Sequence, residues 1–373
     1  MIGVLQEDYS LVGGVESVTK RLLEGFYTER KEIRLYSCKE KYPTKKNENN
    51  VKVLKIYSFS QKEIKYFINT LIEDGVSKLI VQLNGPYSIM AKKLLFKKLY
   101  EVSIDTYIVI HNSPKSFITF YRNFADSFFI SFLKKMRMFI YLRKKVKSFF
   151  SYVKNYVKFV TISQGNYNEL KKYYNIESIV IPNVYNPNKK KKTKNKIHSL
   201  AYIGRFDFCQ KNIFFLLDAW NYVKDKCDWI FTILGDDDEY STNRIKSYIN
   251  KKNIYNVIVR GVLKKEEIED FLAQNSILLL GSNYEGFPTV VLEAASNDNV
   301  VVSTRYDGFS DEILKNNING FIVDFNITKY AEAIQKLISD DQLIDEFSKN
   351  SSSIIHEYLL QNPIKKWLSI LDK

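Results

Sequence analysis

The sequence of 373 residues is poor in cysteine and has no long apolar run. Its three cysteines, Cys38, Cys209 and Cys227, are odd in number and have no paired spacing, which argues against a disulfide framework and against a zinc site. No stretch of about 18 apolar residues is free of charge, so no membrane-spanning helix is predicted. Residues 1–5 lead directly into polar residues, without the basic start and cleavage site of a secretory signal. These absences predict a cytoplasmic protein with reduced thiols.

Acidic residues are also under-represented. The chain has 56 Lys and Arg against 42 Asp and Glu, a net charge of +14. Such a surplus favours an anionic partner, which could be nucleic acid, acidic lipid or a phosphorylated substrate. The abundance of Lys, Asn, Ile, Tyr and Phe would also follow from an AT-rich genome, so composition alone does not choose among these partners.

The length predicts two domains, each with its own core. Short apolar runs alternate with helical patterns, which is typical of parallel sheets covered by helices on both faces. Each half of the chain is predicted to form a Rossmann-like unit. The predicted strands are residues 2–5, 33–37, 51–56, 78–82, 106–110, 159–162, 199–203, 229–234, 257–260, 277–280, 300–303 and 321–323.

A polar, lysine-rich stretch separates the two halves. It starts in the proline-containing segment 182–187 and includes six lysines within 189–196. We interpret residues 183–197 as a linker between a first domain, 1–182, and a second, 198–358. A nucleic-acid-binding tail is the alternative for this lysine run. A final helix at 359–373, with Trp367 on its apolar side, is predicted to pack back onto the first domain.

The segment 128–158 departs from the alternating pattern. Its apolar residues, many of them Phe, recur at helical spacing among nine basic residues with almost no acid. A basic amphipathic helix of this kind suits the surface of an anionic membrane. The alternative is a surface helix whose apolar stripe faces its own core. The sequence leaves both open.

The segment 285–293, EGFPTVVLE, follows a predicted strand and opens a helix. Pro288 suits the first helical position, because its missing N–H would be unpaired there. The free N–H groups at a helix start form a natural phosphate site. Glu285 and Glu293 are predicted to flank this site, where carboxylates can accept hydrogen bonds from pairs of hydroxyl groups.

Two cations accompany this segment. Gly204 and Arg205 directly follow the predicted strand 199–203, and Lys211 lies just before the next predicted helix. Open α/β sheets bind ligands at the carboxyl ends of their strands. Arg205 and Lys211 could there neutralise a diphosphate leaving group as its bond breaks.

Together these motifs resemble glycosyltransferase family 4, a retaining family, over nearly the whole chain. The resemblance implies an α/β protein of the GT-B type, with two Rossmann-like doubly wound parallel-sheet domains facing a cleft. The matching residues are Gly13 to Glu16, His111 and Asn112, Ile162 and Ser163, Ile181 to Asn183, Gly204 and Arg205 with Lys211, Gly235, Gly261, and Glu285 with Glu293.

The resemblance also implies a role for each matching residue. Arg205 and Lys211 would grip the donor diphosphate, and Glu293 would bind the nucleotide ribose. Glu285, with the backbone at 286–287, would hold the donor sugar, and His111 would lie close to the transferred sugar. Arg205, Lys211, Glu285 and His111 would together form the catalytic group. The other donor-binding residues would be Gly13, Gly14, Gly204, Gly261, Val262, Leu263, Gly286, Phe287, Pro288 and Thr289. Glu16 and Asn112 would lie on the acceptor side.

The implied activity is that of a retaining hexosyltransferase. It would move a hexose or N-acetylhexosamine from a nucleotide-diphosphate sugar, a UDP-sugar by frequency in the family, to a glycan or lipid-linked glycan of a bacterial surface polysaccharide. We expect the enzyme in the cytoplasm, and at the inner face of the cytoplasmic membrane if the segment 128–158 binds anionic lipid, with no nucleic acid as partner. Asp236 and Asp238 form a D-x-D pattern, interpreted as a solvated turn, so no cofactor or obligatory metal is expected.

Two other functions remain open. A GT-B epimerase would release an altered nucleotide sugar without any acceptor. A non-catalytic basic protein would bind membrane or nucleic acid through its lysine-rich segments, with an affinity that falls steeply with salt.

Overall fold

The computed structural model describes residues 1–9, 14–39, 51–83, 92–117, 132–186, 196–226, 228–235, 238–309, 311–359 and 361–373. The chain divides into two compact units. Unit 1 comprises Met1–Tyr185 and Leu360–Lys373, and unit 2 comprises Asn186–Leu359. Among the described residues, no helix has the length and apolar character needed to cross a bilayer.

Unit 1 is built on a sheet of seven parallel strands in the order β3-β2-β1-β4-β5-β6-β7. The six strands predicted for this half are confirmed, although β3 is shorter than expected. A seventh strand of two residues was not predicted, because so short a segment has no readable hydrophobic pattern. The strands are β1 (Ile2–Asp8), β2 (Ile33–Lys39), β3 (Val51–Val53), β4 (Lys78–Leu83), β5 (Asp105–Ile110), β6 (Lys158–Thr161) and β7 (Ile179–Val180).

Helices alternate with many of the strands of this sheet along the chain, which is typical of parallel sheets. The described helices of unit 1 are α1 (Gly14–Thr28), α2 (Gln61–Glu73), α3 (Lys93–Glu101), α4 (Phe132–Val153), α5 (Gln164–Tyr174) and, at the other end of the chain, α12 (Gln361–Leu371).

Helix α4 forms most of the basic, Phe-rich segment. Val146, Phe149, Phe150 and Val153 recur at helical spacing and are buried in the unit 1 core. The second half of α4 therefore has an apolar stripe that faces its own core, as one of the two interpretations predicted. Its basic residues Arg143, Lys144, Lys145 and Lys147 are exposed. Phe128 and Phe129 lie outside the described residues.

Helix α12 packs on unit 1. The Trp367 ring meets the Tyr107 ring edge-on, with centroids 6.3 Å apart. The Tyr107 hydroxyl donates to the Ile370 carbonyl at 3.0 Å. Lys31 of unit 1 pairs with Asp372 just beyond the helix, at 2.8 Å.

Unit 2 contains a second parallel sheet, of six strands, in the order β10-β9-β8-β11-β12-β13. All six strands predicted for this half are confirmed. They are β8 (Ser199–Ile203), β9 (Ile230–Leu234), β10 (Val257–Arg260), β11 (Ile277–Leu280), β12 (Val300–Thr304) and β13 (Gly320–Val323).

The described helices of unit 2 enclose its own core, which includes the fully buried Trp220. They are α6 (Ile213–Asn221), α7 (Glu239–Lys251), α8 (Lys265–Gln274), α9 (Thr289–Ser296), α10 (Ile327–Ile338) and α11 (Asp341–Ile354), with 3₁₀ turns at Lys224–Lys226 and Ile355–Tyr358. Most of the predicted linker lies outside the described residues. Its last two residues attach to unit 2, where Lys196 donates to the Asn275 carbonyl and Ile197 to the Gln274 carbonyl.

Candidate functional site

Two loops of unit 2 bring the predicted cations and Glu285 together. One loop connects β8 to α6 and carries Arg205 and Lys211, and the other connects β11 to α9 and carries Glu285. Because β8 and β11 are parallel neighbours in the sheet, both loops leave the same carboxyl edge. This edge is where α/β sheets bind ligands.

Lys211 and Glu285 form a buried ion pair. The Lys211 ammonium Nζ lies 2.6 Å from Glu285 Oε1, and the Glu285 side chain is only 7% exposed. Ser282 donates to the same carboxylate oxygen at 2.5 Å. The charge-assisted hydrogen bond between Lys211 and Glu285, at 2.6 Å, holds the lysine side chain in one place. The prediction gave Glu285 a separate sugar-binding role and did not foresee this pairing.

Gln210 connects this ion pair to Arg205 and was missed by the sequence analysis. Arg205 donates to Gln210 Oε1 at 3.0 Å. The amide Nε2 of Gln210 in turn donates to Glu285 Oε2 at 3.4 Å and to the Tyr284 carbonyl at 3.3 Å. Gln210 precedes Lys211 in the sequence and is uncharged and polar, like an ordinary surface residue. No local sequence signal could therefore have identified it. We call these four residues, Arg205, Gln210, Lys211 and Glu285, the cation cluster.

Backbone contacts fix the two loops to each other. Asn283 donates its side-chain amide to the Cys209 carbonyl at 2.6 Å and its backbone N–H to the Gln210 carbonyl at 2.8 Å. Asp207 Oδ1 accepts the N–H groups of Cys209 and Gln210. The cation cluster therefore rests on hydrogen-bonded loops whose positions depend on both strands.

Gly235, at the end of β9, lies under the same loop. A Cβ atom at this position would lie 2.6 Å from the Gly204 carbonyl oxygen and would overlap the Phe206 ring. Only glycine allows so close an approach. Gly235 thus supports the backbone that leads into Arg205.

The helix start predicted beside Glu285 is present, with one correction. Helix α9 begins at Thr289, and Pro288 is its N-cap instead of its first residue. Pro288 is an N-cap because its ψ of 91° is not helical, although its carbonyl already accepts a hydrogen bond from the Val291 N–H at 2.9 Å. Phe287 is buried and packs against Tyr358, with ring centroids 5.4 Å apart, so this residue offers its backbone to the site. Gly286 is buried and Thr289 half-buried.

Glu293 lies one turn into α9 and is half-buried. The loop after β10 contains Gly261, Val262 and Leu263, and its Arg260 carbonyl accepts the Gly235 N–H at 3.4 Å. Val262 is 58% exposed, so this loop offers an apolar surface at the same edge of the sheet.

In unit 1, His111 follows β5 and is buried. Its Nε2 is hydrogen-bonded to Gln82 Oε1. Burial lowers the pKa of His111 to about 4, so the ring is neutral near pH 7. Asn112 is half-buried beside it. Glu16 is buried in the first turn of α1, which begins at Gly14.

Gly13 and Asp236 lie outside the described residues. Asp238, the other half of the D-x-D pattern, caps α7 by accepting the Ser241 N–H at 2.9 Å. Within the described part of the chain, no three His, Cys, Asp or Glu side chains are grouped as metal ligands would be.

The cation cluster and the start of α9 thus place two cations and a helix N-terminus at one sheet edge, an arrangement able to bind a diphosphate. Residues 184–353 match the sequence model of a family described as glycosyl transferases group 1. The amylovoran biosynthesis glycosyltransferase AmsD of Erwinia amylovora is 24% identical over 390 aligned positions, which cover 99% of each chain.

A poly(ribitol-phosphate) α-N-acetylglucosaminyltransferase of Staphylococcus aureus is 24% identical over 87% of this chain and 63% of its own. Among solved structures, HepE of Anabaena, in complex with UDP and glucose, has a TM-score of 0.76 and 14% identity over 100% of this chain and 99% of its own. The chain is therefore similar to glycosyltransferases over its whole length and has the GT-B fold, and nearly all of the family match lies in unit 2.

Proposed function

We propose that this protein is a retaining glycosyltransferase of family 4, a hexosyltransferase that transfers a hexose or N-acetylhexosamine from a UDP-sugar to a glycan of a bacterial surface polysaccharide. The observation that carries the proposal is the cation cluster at the carboxyl edge of unit 2, within the stretch that matches the glycosyltransferase family.

The donor diphosphate would lie against Arg205 and Lys211. Both cations are already held by hydrogen bonds, Arg205 by Gln210 and Lys211 by Glu285. Such fixed charges need little reorganisation when negative charge develops on the leaving group, which is the physical basis of electrostatic catalysis. Glu293 would bind the ribose, and the exposed Val262 would contact the base. The UDP found in the HepE structure supports this choice of nucleotide.

Glu285 would act in two ways. Three hydrogen bonds, from Lys211, Ser282 and Gln210, occupy three of the roughly four acceptor positions of its carboxylate. Its main contribution is therefore to orient Lys211. The remaining position on Oε2 would accept one hydroxyl of the donor sugar.

Retention of stereochemistry is supported by the relative that is named as an α-N-acetylglucosaminyltransferase. UDP-sugars of this class are α-linked, so an α-linked product retains the configuration. We propose front-face attack, in which the departing phosphate takes the proton of the acceptor hydroxyl. His111 would lie near the transferred sugar and Gly14 beside the donor phosphates, with Glu16 and Asn112 on the acceptor side.

An anionic acceptor or an anionic surface would suit the net charge of +14. Residues 132–158 contain nine Lys or Arg and no Asp or Glu. On the outer face of α4, Ile140 and Tyr141 are 45% and 61% exposed beside exposed Lys144 and Lys145. We propose that this face lies on an anionic membrane, where a lipid-linked acceptor would be found.

The first experiment is a thermal-shift panel with UDP, UDP-glucose, UDP-galactose and UDP-N-acetylglucosamine. A ligand at 100 times its Kd adds about 2.7 kcal/mol to the stability of the protein. We expect UDP and at least one UDP-sugar to raise the melting temperature of the wild type. Lys211→Ala should lose both this shift and transfer.

The matched control is Lys252→Ala, which removes an exposed lysine of unit 2 that contacts Asp218 and lies outside the cation cluster. It should behave as the wild type. Absence of any shift with all four nucleotides, or retention of most transfer by Lys211→Ala, would contradict the assignment. Release of an altered UDP-sugar without an acceptor would favour an epimerase instead.

A further inference from the structure

Two glutamines stand out on one face of the unit 1 sheet. Gln6 of β1 and Gln82 of β4 are register partners on neighbouring parallel strands, so their side chains share a face. They are 1% and 2% exposed. Two residues earlier on the same face, the paired positions are Val4 and Ile80, which are fully buried and apolar. A buried carboxamide costs stability unless it is well hydrogen-bonded, so sheet packing alone would favour apolar residues here too.

Gln82 has a specific partner. Its register partner on β5 is Val109, and His111 follows two residues later on the same face. This offset brings Gln82 Oε1 to His111 Nε2, and the two atoms are hydrogen-bonded. Among the described residues, neither side chain has another hydrogen-bond partner. The contact lies wholly within unit 1.

The contact determines where the single ring proton of His111 lies. Burial keeps the imidazole neutral near pH 7. A neutral imidazole has one N–H donor and one bare nitrogen acceptor. Because Gln82 Oε1 can only accept, Nε2 carries the proton and Nδ1 is left with its lone pair.

We propose that Gln82 is a positioning residue that holds His111 as the Nε2–H tautomer and thereby leaves Nδ1 to accept a hydrogen bond from a hydroxyl group of the ligand. The ligand side of this inference rests on the proposed function. The Nε2–H tautomer has a chemical consequence. A bare Nδ1 can accept a hydrogen bond from a sugar hydroxyl but cannot donate one to a phosphate oxygen. His111 would therefore recognise the sugar and not the diphosphate.

The test is ¹⁵N NMR of the full-length protein labelled at histidine. The sequence has only three histidines, His111, His198 and His356, and His111→Gln assigns the His111 signal. In the wild type we expect one tautomer, protonated at Nε2. Gln82→Met should give a mixture of tautomers or the opposite one.

Gln6→Met is the matched control. It makes the same substitution on the same face of the adjacent strand. The two polar side-chain atoms of Gln6 are buried and have no hydrogen-bond partner among the described residues. Gln6→Met should leave the His111 tautomer unchanged. A wild type protonated at Nδ1, or a Gln82→Met spectrum identical to that of the wild type, would overturn the proposal.

Gln82→Glu keeps an acceptor at the same place, which covers the case in which Gln82→Met does not fold. It should preserve the Nε2–H tautomer, and its negative charge should raise the pKa of His111 by at least one pH unit in an NMR titration. An unchanged His111 titration would mean that the two side chains are not in contact.

Steady-state kinetics with the UDP-sugar that raises the melting temperature give the functional readout. We expect kcat/KM to fall roughly 10- to 100-fold in Gln82→Met, because a misplaced contact in a transition state costs rates of this order. Gln6→Met should stay near wild type. If the NMR result holds but no UDP-sugar binds, the proposed function fails and the positioning of His111 stands. If the NMR result fails, this inference falls whatever the activity.

Discussion

The Lys211–Glu285 pair is nearly excluded from solvent, with side chains 14% and 7% exposed. Removing one partner of a buried pair leaves an uncompensated charge, at a cost of about 3–5 kcal/mol, whereas replacing both partners is far less damaging. A loss of activity in Lys211→Ala could therefore come from this loss of stability. The double variant Lys211→Met/Glu285→Gln removes both charges and separates the two effects. It should fold stably and still fail to bind UDP.

His111 gives a prediction about pH. Its pKa is about 4 in the folded protein, below the usual value near 6.5, so between these values only the unfolded state takes up the proton. Stability that is fully present above pH 6.5 is therefore lost as the pH falls towards 4. The loss is about 3 kcal/mol, at 1.36 kcal/mol for each pKa unit.

The measurement is the urea midpoint of the wild type and of His111→Gln between pH 7 and pH 4. Glutamine stays neutral throughout, and carboxylate titration is common to both proteins and cancels in the difference. The wild type should lose more stability than the variant over this interval. Parallel curves would contradict the buried, neutral state of His111.

At the scale of single residues, the sequence predicted Arg205, Lys211 and Glu285 as site residues but not how they contact one another. Lys211 and Glu285 are 74 positions apart, and their pairing depends on two loops that meet only after β8 and β11 have paired. Gln210 and Gln82 had no signal at all, since a polar residue at a strand end or in a loop is usually solvated.

At the scale of secondary structure, helix α4 has two different faces. Its buried stripe, including Phe149 and Phe150, belongs to the unit 1 core. Its outer face presents lysines and arginines with an exposed Ile140 and Tyr141. The sequence alone could not separate a core-facing stripe from a membrane-facing one, because both have the same helical period. Packing decides the inner face, and the outer face needs a binding experiment.

That experiment is sedimentation with vesicles of phosphatidylglycerol and phosphatidylcholine. Each lysine near an anionic surface contributes about 1 kcal/mol, so Lys144→Glu/Lys147→Glu should weaken binding at least tenfold. The matched control is Lys246→Glu/Lys251→Glu, which reverses two exposed lysines on α7 of unit 2. It should bind as the wild type. Binding should also fall in 0.5 M salt, which screens surface charge.

Vesicles of pure phosphatidylcholine should bind none of these proteins. A wild type that remains entirely in the supernatant with anionic vesicles would refute the membrane proposal. Equal loss of binding in both double variants would show that net charge, and not the face of α4, is responsible.

At the scale of the whole molecule, the two-unit architecture was the most predictable feature. All twelve predicted strands occur, because a strand buried on both faces must be a short apolar run, as in Ile277–Leu280. The missed strand, Ile179–Val180, is too short to carry such a pattern. Each unit has its own core, Leu5 and Phe67 lying in one and Trp220 and Ile233 in the other.

This division makes the proposed nucleotide site testable by hydrogen–deuterium exchange. UDP should slow amide exchange mainly in the unit 2 loops at 204–212 and 281–290, because the cation cluster and the start of α9 lie there. Uridine at the same concentration, which lacks the diphosphate, should protect these loops much less. Protection by UDP that appears only in unit 1 would contradict the location of the donor diphosphate.

The return of helix α12 to unit 1 also affects the order of folding during synthesis. Residues 186–359 are complete on the growing chain before α12 is made, so unit 2 can form its sheet first. Until Trp367 arrives, the Tyr107 ring has no indole against it and its hydroxyl has no Ile370 carbonyl to bond. The unit that begins to be translated first is therefore the one that finishes folding last.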